Sequence, residues 1–338
     1  MKAAVFNGKN DFCIEEVPYP KVYQDGVILK VRAAGICGSD LHVYRRGGRG
    51  EGWILGHEFS GDVVEIGARV KGVQIGDRAT VMSGRGCGQC AFCRQGDIVH
   101  CSRLTLLGYG IPGAFAEYVS VPCFNFGVYS AKLPDSLTYT EGATAEPLSV
   151  ALYAVQQVQA RTTDTIAVIG LGIIGICIVQ ILKSMGINQI LVSGRRENRL
   201  KLAQRAGARM VVDAATGDVV KAAAEFTSGR GIDIVFECSG SPAAFQQAFD
   251  MVHRGSKIDV VGLYEQPVTW NPGVIASKDI TLIGCGLRFD IPGAVKLLKD
   301  GAADTRDLVT HQFPLEKIKE AFETQLHDAD AIKVLVIP

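Results

Sequence analysis

Four cysteines crowd into residues 87–101 as Cys87-x2-Cys90-x2-Cys93-x7-Cys101, inside a glycine-rich stretch. Four thiolates at that spacing can close a tetrahedron round one Zn²⁺ and leave no position open, the mark of a structural site. An iron–sulfur cluster fits less well, because the bacterial run ends x3-Cys-Pro and this one does not. A second set is dispersed: Cys37-Gly38-Ser39-Asp40-Leu41-His42, then Gly56-His57-Glu58, then Glu146-Pro147-Leu148-Ser149. Taken singly, each has a plain explanation. Cys37 reads as a core thiol, His57 as a satisfied buried imidazole, and Glu146 as a carboxylate favoured by a helix N-terminus. Together, one thiolate, one imidazole and one or two carboxylates would suit a catalytic zinc that keeps a position for water or substrate.

A third pattern concerns phosphate. Gly170-Leu171-Gly172-Ile173-Ile174-Gly175 follows a short apolar strand and opens an apolar helix. The first glycine permits a tight turn, the second lets backbone approach a pyrophosphate, and the third brings helix and strand together. Sites for NAD place Asp or Glu about 20 residues further on, to accept from the ribose 2′-OH. Here the second strand ends Ser193-Gly194-Arg195-Arg196, with no carboxylate at that place. Glycine leaves room for a 2′-phosphate and arginine can grip it bidentately, which favours NADP(H) over NAD(H). The alternative is a solvated basic helix start, with Glu197 taking the ribose.

These groups need a frame. The chain has 338 residues with 35 Lys+Arg against 35 Asp+Glu, so its net charge is zero. That balance gives no long-range pull toward nucleic acid or anionic membrane. Hydrophobic residues at 47 % against 21 % charged can build a sizeable core. Residues 1–15 carry no apolar signal core, and ten cysteines with four clustered suit a reducing cytoplasm. Residues 165–182 are uncharged, but they hold the glycine turn and lack basic anchors, so a membrane span is not expected.

The first 140 residues read as strand-rich, with runs at 27–31 (VILKV) and 60–70 (SGDVVEIGARV). After residue 141 the rhythm changes. A helix is predicted over 147–160, then three strand–helix units: 166–169 with 173–185, 190–192 with 195–206, and 234–236 with 242–252. Strands at 258–261 and 280–283 complete a parallel sheet covered on both faces. Residues 289–338, ending in a strand at 333–337, need a core to join and are expected to return to the first lobe.

CGSDLH, GHEFSG, the four-cysteine lobe, GAFAEY (residues 113–118), EPLSV and GLGIIG occur in the order found in zinc-containing medium-chain dehydrogenases/reductases. The chain resembles that family over essentially its whole length, most of all the polyol branch of sorbitol, galactitol-phosphate and threonine dehydrogenases. The resemblance implies a GroES-like β-rich catalytic domain (1–145 and 289–338) plus a Rossmann doubly wound parallel-sheet domain (146–288), with the active site in the cleft between them. It assigns Cys37, His57 and Glu146 as catalytic zinc ligands, and Glu58 as a ligand or an alternating neighbour. It places Ser39 to accept the alcohol proton and pass it to His42, and Asp40 to orient a ligand from behind. Gly194-Arg195-Arg196 departs from the usual Asp, and the loop 44–52 (YRRGGRGEG) lacks the aromatic character common there, so the substrate pocket does not carry over.

The expectation is an NADP(H)-linked oxidoreductase for a small polyol or other secondary alcohol, with two zinc ions per chain. Arg45, Arg46 and Arg49 would greet an acidic substrate if they are not simply a solvated face. Arg288 aligns with an arginine that polyol dehydrogenases use near the substrate. The alternatives are an NAD-linked sugar-acid, sugar-phosphate or amino-alcohol dehydrogenase, and a non-catalytic protein that keeps the scaffold. Relatives are homodimers or homotetramers joined through the Rossmann lobe.

Overall fold

The computed structural model describes residues 1–47, 50–81, 84–127, 130–286 and 288–338. The chain divides into two compact units. One comprises Met1–Ser149, Phe289–Gly301 and Thr305–Pro338; the other comprises Val150–Arg288 and Ala302–Asp304. The first is GroES-like and β-rich, the second a doubly wound α/β layer structure.

Among the described residues, the second unit holds a six-stranded parallel sheet. Its spatial order is Met210–Asp213, Ile190–Gly194, Ile166–Ile169, Ile232–Glu237, Val252–Val260, Thr281–Gly284. Counted along the chain, the order reverses between Ile166–Ile169 and Ile232–Glu237, the switch point at which such sheets bind dinucleotides. Strand Ile166–Ile169 is buried at every position, because helices cover both of its faces. Phe245, Phe249, Met251, Leu191 and Ile258 pack in the core beside it.

One strand–helix unit beyond the three expected is present: strand Met210–Asp213 followed by helix Val219–Phe226. The strand lies at the sheet edge and has one fully buried residue, so it lacks the apolar run that marked its neighbours. The helix expected from residue 195 begins at Glu197 instead. Arg196 is extended, at φ −119° and ψ 121°, which holds both arginines in the turn that leaves the strand.

In the first unit the expected strand 27–31 continues to Gly35, and the run expected from residue 60 begins at Glu58. Strand Val27–Gly35 pairs antiparallel with Glu58–Ile66, Tyr118–Val121 and, from the chain's far end, Lys333–Ile337. Phe6, Phe12, Phe115 and Phe322 fill the core these strands enclose. Among the described residues no helix is long and apolar enough to cross a membrane.

Candidate functional site

Cys37 caps the N-terminus of helix Gly38–Arg46, and the backbone N–H of Cys37 donates to Asp40 Oδ2 at 3.1 Å. This local bond explains the Cys-Gly-Ser-Asp order: Asp at the third helical position turns back on the cap residue. The cap also sets the sulfur at the positive end of the helix. Ser39 and His42, three apart on the same helix, share one face. Glu58 opens its strand directly after His57 and pairs with Gly35. A Cβ on Gly35 would stand 2.5 Å from Glu58 Oε2, so only glycine leaves space for that carboxylate.

These elements bring one ligand atom each from Cys37, His57 and Glu58 within 4.8 Å of one another. Glu146, in the first turn of helix Ala145–Val158, is not part of that trio but is buried and electrostatically engaged with His57 and Glu58. Behind them His57 Nδ1, 3.7 Å from Asp40 Oδ1, is buried with no hydrogen-bond partner among the described residues. Lys333 Nζ donates to Glu58 Oε2 at 2.5 Å and to the Ile36 carbonyl at 2.8 Å.

The electrostatics are those of a site short of positive charge. Burial pushes the Glu146 carboxyl up to about 7; His57 and Lys333 pull it back, while Glu58 and Asp40 push it further. Burial opposes the charged form of His57, yet Asp40, Cys37 and Glu146 outweigh burial and raise it well above the ordinary imidazole range. Burial likewise raises Asp40, against the pull of His57. Glu146, Asp40 and His57, which all hold their protons more tightly than usual beside the Cys37 sulfur, fit a divalent cation, which would compete with those protons. The donor set is borderline-soft and suits zinc.

Cys87, Cys90, Cys93 and Cys101 form the other cluster, with their sulfurs within 4.8 Å of one another and none in a disulfide. Backbone N–H groups of Gln89 and Cys90 donate to Cys87 Sγ at 3.4 Å, and that of Cys87 donates to Cys101 Sγ at 3.3 Å. The two amides on its sulfur lower the Cys87 thiol to about 6, whereas burial pushes Cys93 up to about 12. Four thiols so placed fit a closed tetrahedral ion.

In the second unit a cavity of about 780 Å³ opens at the switch point. Its lining includes Gly170, Gly172, Ser193, Gly194, Arg195, Arg196, Arg199 and Ser239. Gly175 lies beneath the turn, where a Cβ would meet the Gly170 carbonyl at 2.1 Å. Ile173 and Ile174 begin the helix whose N-cap is Gly172, so its first N–H groups face the turn. Among the described lining residues there are three arginines and no carboxylate. Glu197 is not among them and pairs with Lys201 at 2.6 Å. Ser193 Oγ is buried with no partner among the described residues, a polar atom that a ribose would satisfy.

Sequence reasoning missed Lys333, Tyr109 and Arg199. Only Arg199 left a signal: on the helix expected from residue 195 it would follow Arg195 by one turn, although the observed helix begins at Glu197. Burial and the neighbouring Arg196 lower its guanidinium to about 10. Arg45, Arg46 and Arg288 are exposed, and Arg49 and Leu287 lie outside the described residues.

A GroES-like unit with two metal-ligand clusters and a doubly wound unit with a dinucleotide cavity define a zinc-binding dehydrogenase. The comparisons agree. Residues 23–130 match the Alcohol dehydrogenase GroES-like domain and residues 174–300 the Zinc-binding dehydrogenase family. The chain is 35 % identical over 349 residues to the sorbitol dehydrogenase of Bacillus subtilis (strain 168), covering 100 % of this chain and 97 % of the relative. It superimposes on the 2R,3R-butanediol dehydrogenase of Bacillus subtilis with a TM-score of 0.88 at 32 % identity, covering 100 % and 99 % of the two chains. A protein of Sinorhizobium meliloti 1021, described as a zinc-binding dehydrogenase and solved bound to NADP, gives 0.91 at 29 % identity, with 100 % and 99 % covered. The chain belongs to the zinc-containing medium-chain dehydrogenase/reductase family, among its polyol dehydrogenase-like members, and is a zinc-dependent alcohol dehydrogenase with a nicotinamide cofactor.

Proposed function

We propose that the protein oxidises a small polyol or other secondary alcohol, and reduces the matching ketone, with NADP(H) in preference to NAD(H). The lining of the second unit's cavity carries this reading: Arg195, Arg196 and Arg199 supply positive charge at the turn where a carboxylate would repel a 2′-phosphate. Gly170 and Gly172 would admit a pyrophosphate to the helix N-terminus, and Ser193, which lines the same cavity, would meet the ribose.

Cys37 and His57, with Glu58 or Glu146 as third donor, would hold one zinc, and the four clustered cysteines a second. When bound, zinc supplies Lewis acidity to the alcohol oxygen and the nicotinamide takes up the hydride. Ser39, beside Cys37 on the same helix turn, accepts the hydroxyl proton and passes it to His42 on the same face of that helix. Asp40 faces His57 Nδ1 and holds the ring. Arg288 and the Arg45–Arg46 pair are the candidates for contact with an acidic group on the substrate. The protein works as a homodimer or homotetramer.

The test is direct. Initial rates over sugar alcohols, aldonates and sugar phosphates, read by reduced-nicotinamide absorbance, should favour NADP⁺ on at least one secondary alcohol. A large preference for NAD⁺ would refute the arginine argument. Metal analysis should return two zinc per chain, and Ser39→Ala should lose most turnover at unchanged metal content.

A further inference from the structure

The turn after the four-cysteine lobe delivers an aromatic side chain to the metal centre. Tyr109 N–H donates to the Leu106 carbonyl at 2.9 Å, and Leu106 N–H returns the bond at 3.0 Å. The intervening Gly108 packs on the residue before His57: a Cβ there would stand 3.1 Å from Gly56 N. The Tyr109 ring therefore lies 5.8 Å from the His57 ring, and Trp53 meets it edge-on at 6.5 Å.

The polar end of Tyr109 meets two side chains of the Cys37 helix, Ser39 and Asp40. Its hydroxyl donates to Asp40 Oδ1 at 3.3 Å, the same oxygen that faces His57 Nδ1 at 3.7 Å. The other Asp40 oxygen accepts the Cys37 backbone N–H at 3.1 Å. Asp40 is fully buried, so its carboxylate can turn to no solvent. We infer that Tyr109 is a positioning residue of the metal centre: its hydroxyl fixes Asp40 Oδ1 in front of His57 and so sets the ring orientation that presents His57 to Cys37 and Glu58. This rests on reading Cys37, His57 and Glu58 as metal ligands. A phenol suits the task, since its ring packs on the imidazole while its tip supplies one neutral donor.

Tyr109→Phe in the zinc-loaded enzyme keeps the ring and removes the donor. Zinc release to a chelator is followed with the four-cysteine ion as internal standard. Release from the Cys37 site should accelerate about tenfold, the scale on which partners behind a ligating histidine act, while the four-cysteine ion leaves at the wild-type rate. The visible bands of the cobalt-substituted enzyme should shift as well. Unchanged release and spectrum overturn the inference. Equal acceleration at both sites also overturns it, because that reports general loosening. In an Asp40→Ala background, which removes the acceptor, the same substitution should add nothing, and an additive effect would mean that the hydroxyl acts through a partner other than Asp40 and overturns the inference. Wild-type protein holding zinc only on the four cysteines is a separate result, and defeats the metal-centre reading itself.

Discussion

Lys333 and Glu58 form a buried ion pair at 2.5 Å, joined across two strands that both flank Gly35. Gly35 pairs with Glu58 on one side and Leu335 on the other, and Lys333 lies two residues before Leu335, on the same face of its strand. Burial lowers the lysine, but Glu58, Cys37 and Glu146 outweigh it and raise it above the ordinary ammonium value. The pair ties the last strand of the chain to the residue beside His57.

Lys333→Met should therefore be costly, because it leaves the Glu58 carboxylate buried without its cation. Removing one partner of such a pair costs about 3 kcal/mol or more. Denaturant unfolding in chelator should reveal that loss. Added zinc should recover part of it, since the ion takes over the Glu58 charge. Equal stability of variant and wild type in chelator would mean that the pair contributes nothing.

Cys93→Ala should remove one ion and spare the other. The four sulfurs act as a unit, so loss of one opens the tetrahedron. Elemental analysis should fall from two zinc to one, and limited proteolysis should find new cuts within residues 84–111. Zinc at Cys37 should persist, because its ligands come from other strands and helices. Loss of both ions together would contradict the independence of the two sites.

Which parts of this were legible in the sequence follows from range. The four cysteines, the glycine turn and the capped Cys37 helix are local, and spacing alone reports them. Strand Ile166–Ile169 was legible because both its faces are buried, whereas edge strand Met210–Asp213 buries too little to show. Lys333 stands 275 positions from Glu58, and no local pattern announces such a meeting. Tyr109 reaches Asp40 only because Gly108 seats its turn on Gly56. The trio of Cys37, His57 and Glu58 likewise depends on strand register, which decides that Glu58 stands nearer the other two than Glu146 does.

Asp259 predicts a pH dependence in the second unit. It is fully buried in strand Val252–Val260, and the Gln157 amide donates to both of its oxygens at 3.0 Å. Burial pushes the carboxyl up to about 7, against the pull of that amide. An unfolded aspartate titrates at about 3.9. The folded state thus keeps its proton longer, so this contribution to stability is complete below about pH 4 and lost as pH climbs to about 7. Asp259→Asn stays neutral throughout. Between pH 5 and pH 8 the wild type should lose about 2–3 kcal/mol that the variant keeps, measured by urea unfolding. Parallel pH profiles for the two would rule this out.

Gly194→Asp tests cofactor choice at one atom. Gly194 lies at the end of strand Ile190–Gly194 and lines the cavity beside Arg195, Arg196 and Arg199. A Cβ there would stand 3.1 Å from Leu171 Cδ1, a flexible side-chain end that can yield, so the fold should tolerate the change. The new carboxylate would lie where a ribose 2′-OH can donate to it and where a 2′-phosphate meets like charge. Each charge-assisted hydrogen bond denied to the phosphate is worth about 1.5–3 kcal/mol, so KM for NADP⁺ should rise by roughly 10–100-fold, while KM for NAD⁺ should fall. Because the substitution is remote from Ser39 and the zinc ligands in sequence and confined to adenosine binding, kcat at saturating cofactor should hold within about twofold. A variant that weakens both cofactors equally would show that the arginine turn is packing, not recognition, and would return the choice between NADP and NAD to some other part of the cavity.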